Sequence, residues 1–286
     1  MEQVALLAAI GCVSGFLAGL LGIGGGVIIV PGLLIVLPQL GVAGPDLVKV
    51  AMATSLAVTL PISISGVQEH VVKHAIHWVA FQRLGIGILL GSFAGSQLSA
   101  SVNDKLLTVL FIAFVLYGAW SMLRGKKTAA AFHPPLPGTL ELALKGFGIG
   151  AFSAMAGIGG ALLTVPLLAV HLPMPRAIAT TAALGIPLAA AATLGYGLAA
   201  GSAGTCALGC AGYIYLPGAG AIATAAILTA PVGAYFTHAV PAQLLRRVFA
   251  ALMIVIAANL IWKMLPQAQQ GTAPDAQAAA MPAWLN

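Results

Sequence analysis

The chain has 286 residues, of which 60% are hydrophobic and only 6% charged. Soluble domains carry roughly 25% charged residues, so a water-soluble globular fold is excluded. The net charge of +6 is spread over short loops, which argues against a nucleic-acid surface and makes the basic residues topology signals.

The chain begins Met1-Glu2-Gln3 without a basic residue, unlike the positive start of a cleaved signal peptide, so the first apolar segment is expected to be retained. Apolar segments are predicted over 4–21, 27–38, 47–66, 77–98 and 104–123, which together make a first transmembrane repeat, 1–123. A basic, proline-rich linker follows over 124–141, with Arg124, Lys126, Lys127, Pro134, Pro135 and Pro137. The series then recurs at 142–156, 162–172, 177–200, 214–236 and 243–264, a second repeat over 142–265. The tail 266–286 is rich in Ala, Gln and Pro and is expected to be disordered.

Small residues carry the repeat. An offset of 135 places Gly11 on Gly146, Gly15 on Gly150, Gly22 on Gly157 and Pro31 on Pro166. An offset of 126 places Thr54 and Ser55 on Thr180 and Thr181, and Pro61 on Pro187. An offset of 138 places Gly87, Gly91 and Gly95 on Ala225, Thr229 and Gly233. Small residues four apart share a helix face and let backbones approach. The fold class expected is an all-α membrane protein, a polytopic helical bundle of two homologous repeats. Each repeat has a glycine-broken first helix or helix pair.

Topology turns on how that break is understood. As a kink it gives four crossings per half and parallel halves; as a reversal it gives odd parity and inverted halves. With the linker cytoplasmic, the inverted arrangement puts nine Lys and Arg inside and three outside, whereas the parallel one puts seven inside and five outside. The positive-inside rule favours inversion.

The breaks are Gly22, Ile23, Gly24, Gly25, Gly26 before Pro31, and Gly157, Ile158, Gly159, Gly160, Ala161 before Pro166. Interrupted helices survive in lipid only where the backbone is packed in protein or lines a cavity. Segment 27–38 is too short to span a roughly 30 Å core. It reads as a half-helix whose N-terminal end presents unpaired N–H groups and partial positive charge. Two such ends facing each other suit a small anion. The competing role for these glycines is close helix packing. The hydroxyls of Thr54, Ser55, Thr180 and Thr181 are placed to donate to an oxyanion, or else to bond their own helices.

No Asp or Glu lies in the middle of an apolar segment, so no carboxylate stands where a proton or sodium carrier is usually found. His70, His74 and His77 fall at i, i+4 and i+7, a spacing that one helical face would gather into a metal or proton-relay cluster or a solvated interfacial face. Cys206 and Cys210 can pair only if their loop faces an oxidising compartment. No nucleotide-binding or hydrolase motif is present, so the chain is not expected to be an enzyme and no cofactor is expected.

The run Gly19-Leu20-Leu21-Gly22-Ile23-Gly24-Gly25-Gly26 with Val30-Pro31, and Ala53-Thr54-Ser55-Leu56, resemble the TauE/SafE family of sulfite exporters. So do Ala156-Gly157-Ile158-Gly159-Gly160, Tyr213-Ile214-Tyr215-Leu216-Pro217 and Leu244-Leu245-Arg246-Arg247-Val248-Phe249, so that the likeness covers about residues 10 to 264. The chain departs from the family pattern at His77, where an acidic residue is usual, and at Ala161, where the third glycine is missing. The resemblance implies a multi-pass permease of the bacterial inner membrane for a small organosulfur or sulfite anion. Membrane lipids surround it, and a homodimer is compatible with it. The mechanism expected is alternating access by rocking of one half against the other. Three alternatives stay open here: a passive anion channel, a transition-metal permease using the histidines, and a non-transport intramembrane enzyme or assembly partner.

Overall fold

The computed structural model describes residues 2–21, 25–42, 44, 46–72, 75–124, 134–199, 209–236, 247 and 250–262. Its helices are α1 (Glu2–Leu21), α2 (Gly26–Val36), α3 (Leu47–Val72), α4 (Trp78–Ser101) and α5 (Asp104–Arg124). After the linker come α6 (Thr139–Met155), α7 (Ala161–Ala169), α8 (Met174–Ala199) and α9 (Leu216–Phe236), then α10 (Ala250–Trp262). A turn of 3-10 helix, Leu37–Leu40, extends α2, and a two-stranded hairpin of β1 (Cys210–Ala211) and β2 (Ile214–Tyr215) precedes α9. Among the described residues, five helices are long and apolar enough to cross a membrane: α3, α4, α5, α8 and α9.

Glycine stripes set which helices touch. A Cβ on Gly87, Gly91 or Gly95 of α4 would run into the backbone of Ala143, Phe147 or Ala151 of α6. Positions rise together along both helices, so α4 and α6 run parallel with backbones in contact. Gly11 and Gly15 of α1 meet Ile222 and Ala226 of α9 in the same way. These are the small-residue seams on which membrane helices pack.

Directions follow from the other contacts. Gly85 faces Leu184 and Gln97 Nε2 donates to the Gly195 carbonyl at 3.2 Å, so α4 and α8 are parallel. Ser63 of α3 lies against Gly185 of α8, and Val67 packs against the cluster of Ile76, Ala179 and Ala183; α3 and α8 are therefore antiparallel. Since α6 and α8 both run with α4, the intervening α7 must return. Its end does come back to the start of α6: His171 Nδ1 is 3.2 Å from the Pro134 carbonyl. Likewise Gln3 Nε2 donates to the Gln39 carbonyl at 2.9 Å, which ties the start of α1 to the end of α2. The glycine break in each hairpin reverses the chain rather than kinking one long helix.

The interior is built from Ile29 and Leu33 of α2, Met52 and Leu56 of α3, Leu84 and Ile88 of α4, and Leu142 of α6, all fully buried. Leu140, Leu198, Leu228 and Trp262 point outward and are strongly exposed, the apolar exterior expected of a bundle solvated by lipid.

Candidate functional site

The second break is a helix stop of defined geometry. Gly157 has φ +66°, in the left-handed region. The Ile158 N–H bonds to the Ser153 carbonyl (3.0 Å) and the Gly157 N–H to the Ala154 carbonyl (3.1 Å). This pair of bonds is a Schellman motif, which caps the orphan carbonyls of α6 and needs a residue tolerant of positive φ. Ile158, just past the glycine, is fully buried, and the Ala154 carbonyl also accepts from the Tyr196 hydroxyl at 3.1 Å. Then α7 starts: Ala161 donates to the Gly159 carbonyl at 2.7 Å, and Leu163 and Thr164 donate to the Gly160 carbonyl.

In the first break Gly25 takes the left-handed conformation, φ +67°, at the cap of α2, and its carbonyl accepts from Ile28 and Ile29. Gly22 and Gly24 lie outside the described residues.

The two breaks meet. A Cβ on Gly26 would fall 2.9 Å from the Gly157 carbonyl oxygen, 3.1 Å from Ile158 Cα and 3.2 Å from Ser55 Oγ. Ser55 Oγ donates to that same carbonyl at 3.0 Å. The junction is about 12 Å along α3 from its start at Leu47, taking 1.5 Å per residue, well inside a roughly 30 Å core. In this arrangement Gly26 and Gly157 are approached closely by protein, as the packing role requires.

The remaining hydroxyls bind helix entrances. Thr54 Oγ1 accepts from the Tyr215 N–H at 3.0 Å. Thr180 Oγ1 accepts from the His77 N–H at 2.9 Å and donates to the Arg176 carbonyl at 2.7 Å. The protons of Ser55 and Thr180 are thus already used on backbone carbonyls. Thr181 Oγ1 and Ser153 Oγ are buried and have no hydrogen-bond partner among the described residues, although a buried polar group normally finds one. Ser153, missed in the sequence, sits 3.3 Å from where a Cβ on Gly160 would lie. Nothing but its position one turn before the break distinguishes it in the chain.

The histidine spacing does not make a helical face. α3 ends at Val72 and α4 begins at Trp78, and His77 is the extended cap of α4, its Nδ1 accepting from the Ala80 N–H at 3.2 Å. His74 and the His70 side chain lie outside the described residues. Among the described residues no group of three His, Cys, Asp or Glu is placed to hold a metal.

A second polar cluster escaped the sequence reasoning. Lys49 Nζ, buried at the start of α3, bonds to Asp46 Oδ1 (2.8 Å) and the Ala100 carbonyl (3.1 Å). Asp104 Oδ1 lies 3.9 Å from it, and the Tyr213 ring is 5.9 Å away. Burial, then the Asp46 carboxylate, push the Tyr213 hydroxyl above its ordinary value, against the opposing effect of Lys49, so the ring beside the ammonium stays neutral. The signal was the paired placement of Asp46 and Asp104 at the starts of two apolar segments. Cys210, in the adjoining hairpin, is disulfide-bonded, while Cys206 lies outside the described residues.

The family model described as Sulfite exporter TauE/SafE matches residues 7–260. The chain belongs to the TauE/SafE family. A probable membrane transporter protein of Haemophilus influenzae is 31% identical over 262 residues, covering 91% of this chain and 98% of that protein. One from Methanocaldococcus jannaschii is 32% identical over 190 residues, covering 64% and 68%. No solved structure matches significantly. This TauE/SafE chain, with five helices among the described residues able to cross a membrane, is a multi-pass membrane transporter.

Proposed function

We propose that the chain is a secondary permease of the bacterial inner membrane that moves a small sulfur-containing oxyanion of the sulfite, sulfonate or sulfoacetate type by alternating access. The observation that carries this reading is the meeting of two glycine breaks inside a bundle of the sulfite exporter family. Both breaks start short helices, so partial positive charge from α2 and α7 converges without a charged side chain. The site draws on Gly22, Gly24, Gly25 and Thr54 with Gly159, Gly160, Ala161 and Thr181, while Gly26, Ser55, Gly157 and Thr180 brace the backbone that frames it.

In this reading 1–123 and 142–265 are inverted repeats. Two facts support it: α3 and α8, which correspond at an offset of 126, run antiparallel, and the hydrogen bond from Tyr215 to Thr54 has its counterpart in that from His77 to Thr180. The hairpins α1–α2 and α6–α7 then enter from opposite sides and touch at their tips. Inversion also puts the hairpin carrying Cys210 on the outer, oxidising side, where a disulfide persists.

Flux into proteoliposomes, screened with sulfite, thiosulfate, sulfoacetate and taurine against chloride, tests the function. Saturable flux of at least one sulfur oxyanion is expected. No flux of any anion overturns the reading, and large unitary currents replace the carrier with a channel.

A further inference from the structure

The orphaned hydroxyl of Ser153 adds a specificity element to the proposed site, and the inference rests on that reading. Ser153 is fully buried, and its Oγ has no partner among the described residues. Its own carbonyl is held by the Ile158 N–H, so the Schellman turn fixes the residue in place. Its Oγ lies 3.3 Å from the Cβ position of Gly160, the cap of the nine-residue helix α7. Among the described residues the N–H groups of Gly159 and Gly160 also have no backbone acceptor. A neutral O–H donor therefore stands against the Gly160 backbone, together with Leu188 Cδ1 at 2.8 Å from the same Cβ position, at the positive end of a helix.

We propose that the Ser153 hydroxyl donates a hydrogen bond to one oxygen of the transported oxyanion, bound at the start of α7. A buried donor without an acceptor is costly, and a ligand oxygen removes the cost. A directional O–H donor selects such an oxyanion over a halide, since both carry charge but only the oxyanion offers fixed lone pairs. The other break lacks this element: offset 135 places Ala18 opposite Ser153, and a Cβ on Gly25 would meet the Ala18 methyl at 3.6 Å. The two ends of the site are thus chemically unequal.

The test compares wild type, Ser153→Ala and Ser153→Cys for binding of methanesulfonate and sulfite in detergent, and for flux in proteoliposomes with chloride as competitor. Loss of one hydrogen bond to a charged ligand should weaken oxyanion affinity about tenfold in Ser153→Ala. Chloride competition should be unchanged, and the ligand-free variant should be at least as heat-stable as wild type because an orphaned donor is gone. Ser153→Cys, similar in size with a weaker donor, should lie between. Wild-type oxyanion binding with Ser153→Ala within twofold of it overturns this inference alone. Equal loss for chloride and oxyanion also overturns it. A wild type that neither binds nor moves any anion removes the functional reading as well.

Discussion

Gly157→Ala should be strongly destabilising. The backbone at Gly157 has φ +66°, and holding a residue with a Cβ there costs about 1–2 kcal/mol. The added carbon would lie 2.7 Å from Met52 Cγ and 2.8 Å from Met52 Cα. Met52 is fully buried, and its Cα cannot move away by a rotamer change, so overpacking adds about 1–3 kcal/mol. The total is about 2–5 kcal/mol. Gly25→Ala is the control: its φ is +67°, but its nearest neighbours are the Ser14 carbonyl at 3.3 Å and Ile29 Cδ1 at 3.5 Å. It should lose the conformational part and little more. Residual monodisperse protein after heating in detergent, read by size-exclusion fluorescence, ranks the two. At about 2–4 °C per kcal/mol for a chain of this size, Gly157→Ala should melt several degrees below Gly25→Ala. Equal melting of the two variants would refute the contact with Met52.

Three further outcomes follow from other contacts. Lys49→Met removes the ammonium that Asp46 and Asp104 share and should cost about 2 kcal/mol, less than a fully buried pair because both carboxylates keep some solvent; unchanged thermal stability would refute the cluster. In a cysteine-free background, Gln3→Cys and Gln39→Cys should react with an impermeant maleimide from the same side of the membrane, and Pro137→Cys and Pro173→Cys from the other. Opposite-side labelling of the first two would restore a single kinked helix. Gly91→Leu drives a side chain into the Phe147 backbone and should abolish the monodisperse peak; a normal yield would show that α4 and α6 are not in backbone contact.

Much of the architecture was legible because glycine and proline leave local marks. The stripe of Gly87, Gly91 and Gly95 announced a close backbone seam, and helix limits fell within a few residues of the apolar runs. α3 continues past Ser65 to Val72 and α6 starts at Thr139, where polar residues mask a helix that the apolar period misses. Partners distant in sequence were not legible. The hydroxyl of Thr54 meets an N–H 161 residues away and that of Thr180 one 103 residues away, and nothing local reveals either. The histidine spacing misled because periodicity says nothing about whether the helix continues, and here it stops between His70 and His77. Lys49 looked like a topology signal although Asp46 pairs with it three residues earlier, and its second carboxylate, Asp104, comes one helical hairpin later.

The glycine seams also set which parts of the molecule can move as units. The closest backbone contacts join α1 to α9 and α4 to α6, and each joins an element before the linker to one after it. Rocking the first half as a block against the second would shear both seams at their tightest points. The natural rigid blocks are therefore composites, each assembled from both ends of the sequence. Cutting the linker should leave them interlocked, and any transport motion must find its hinges within each half of the chain.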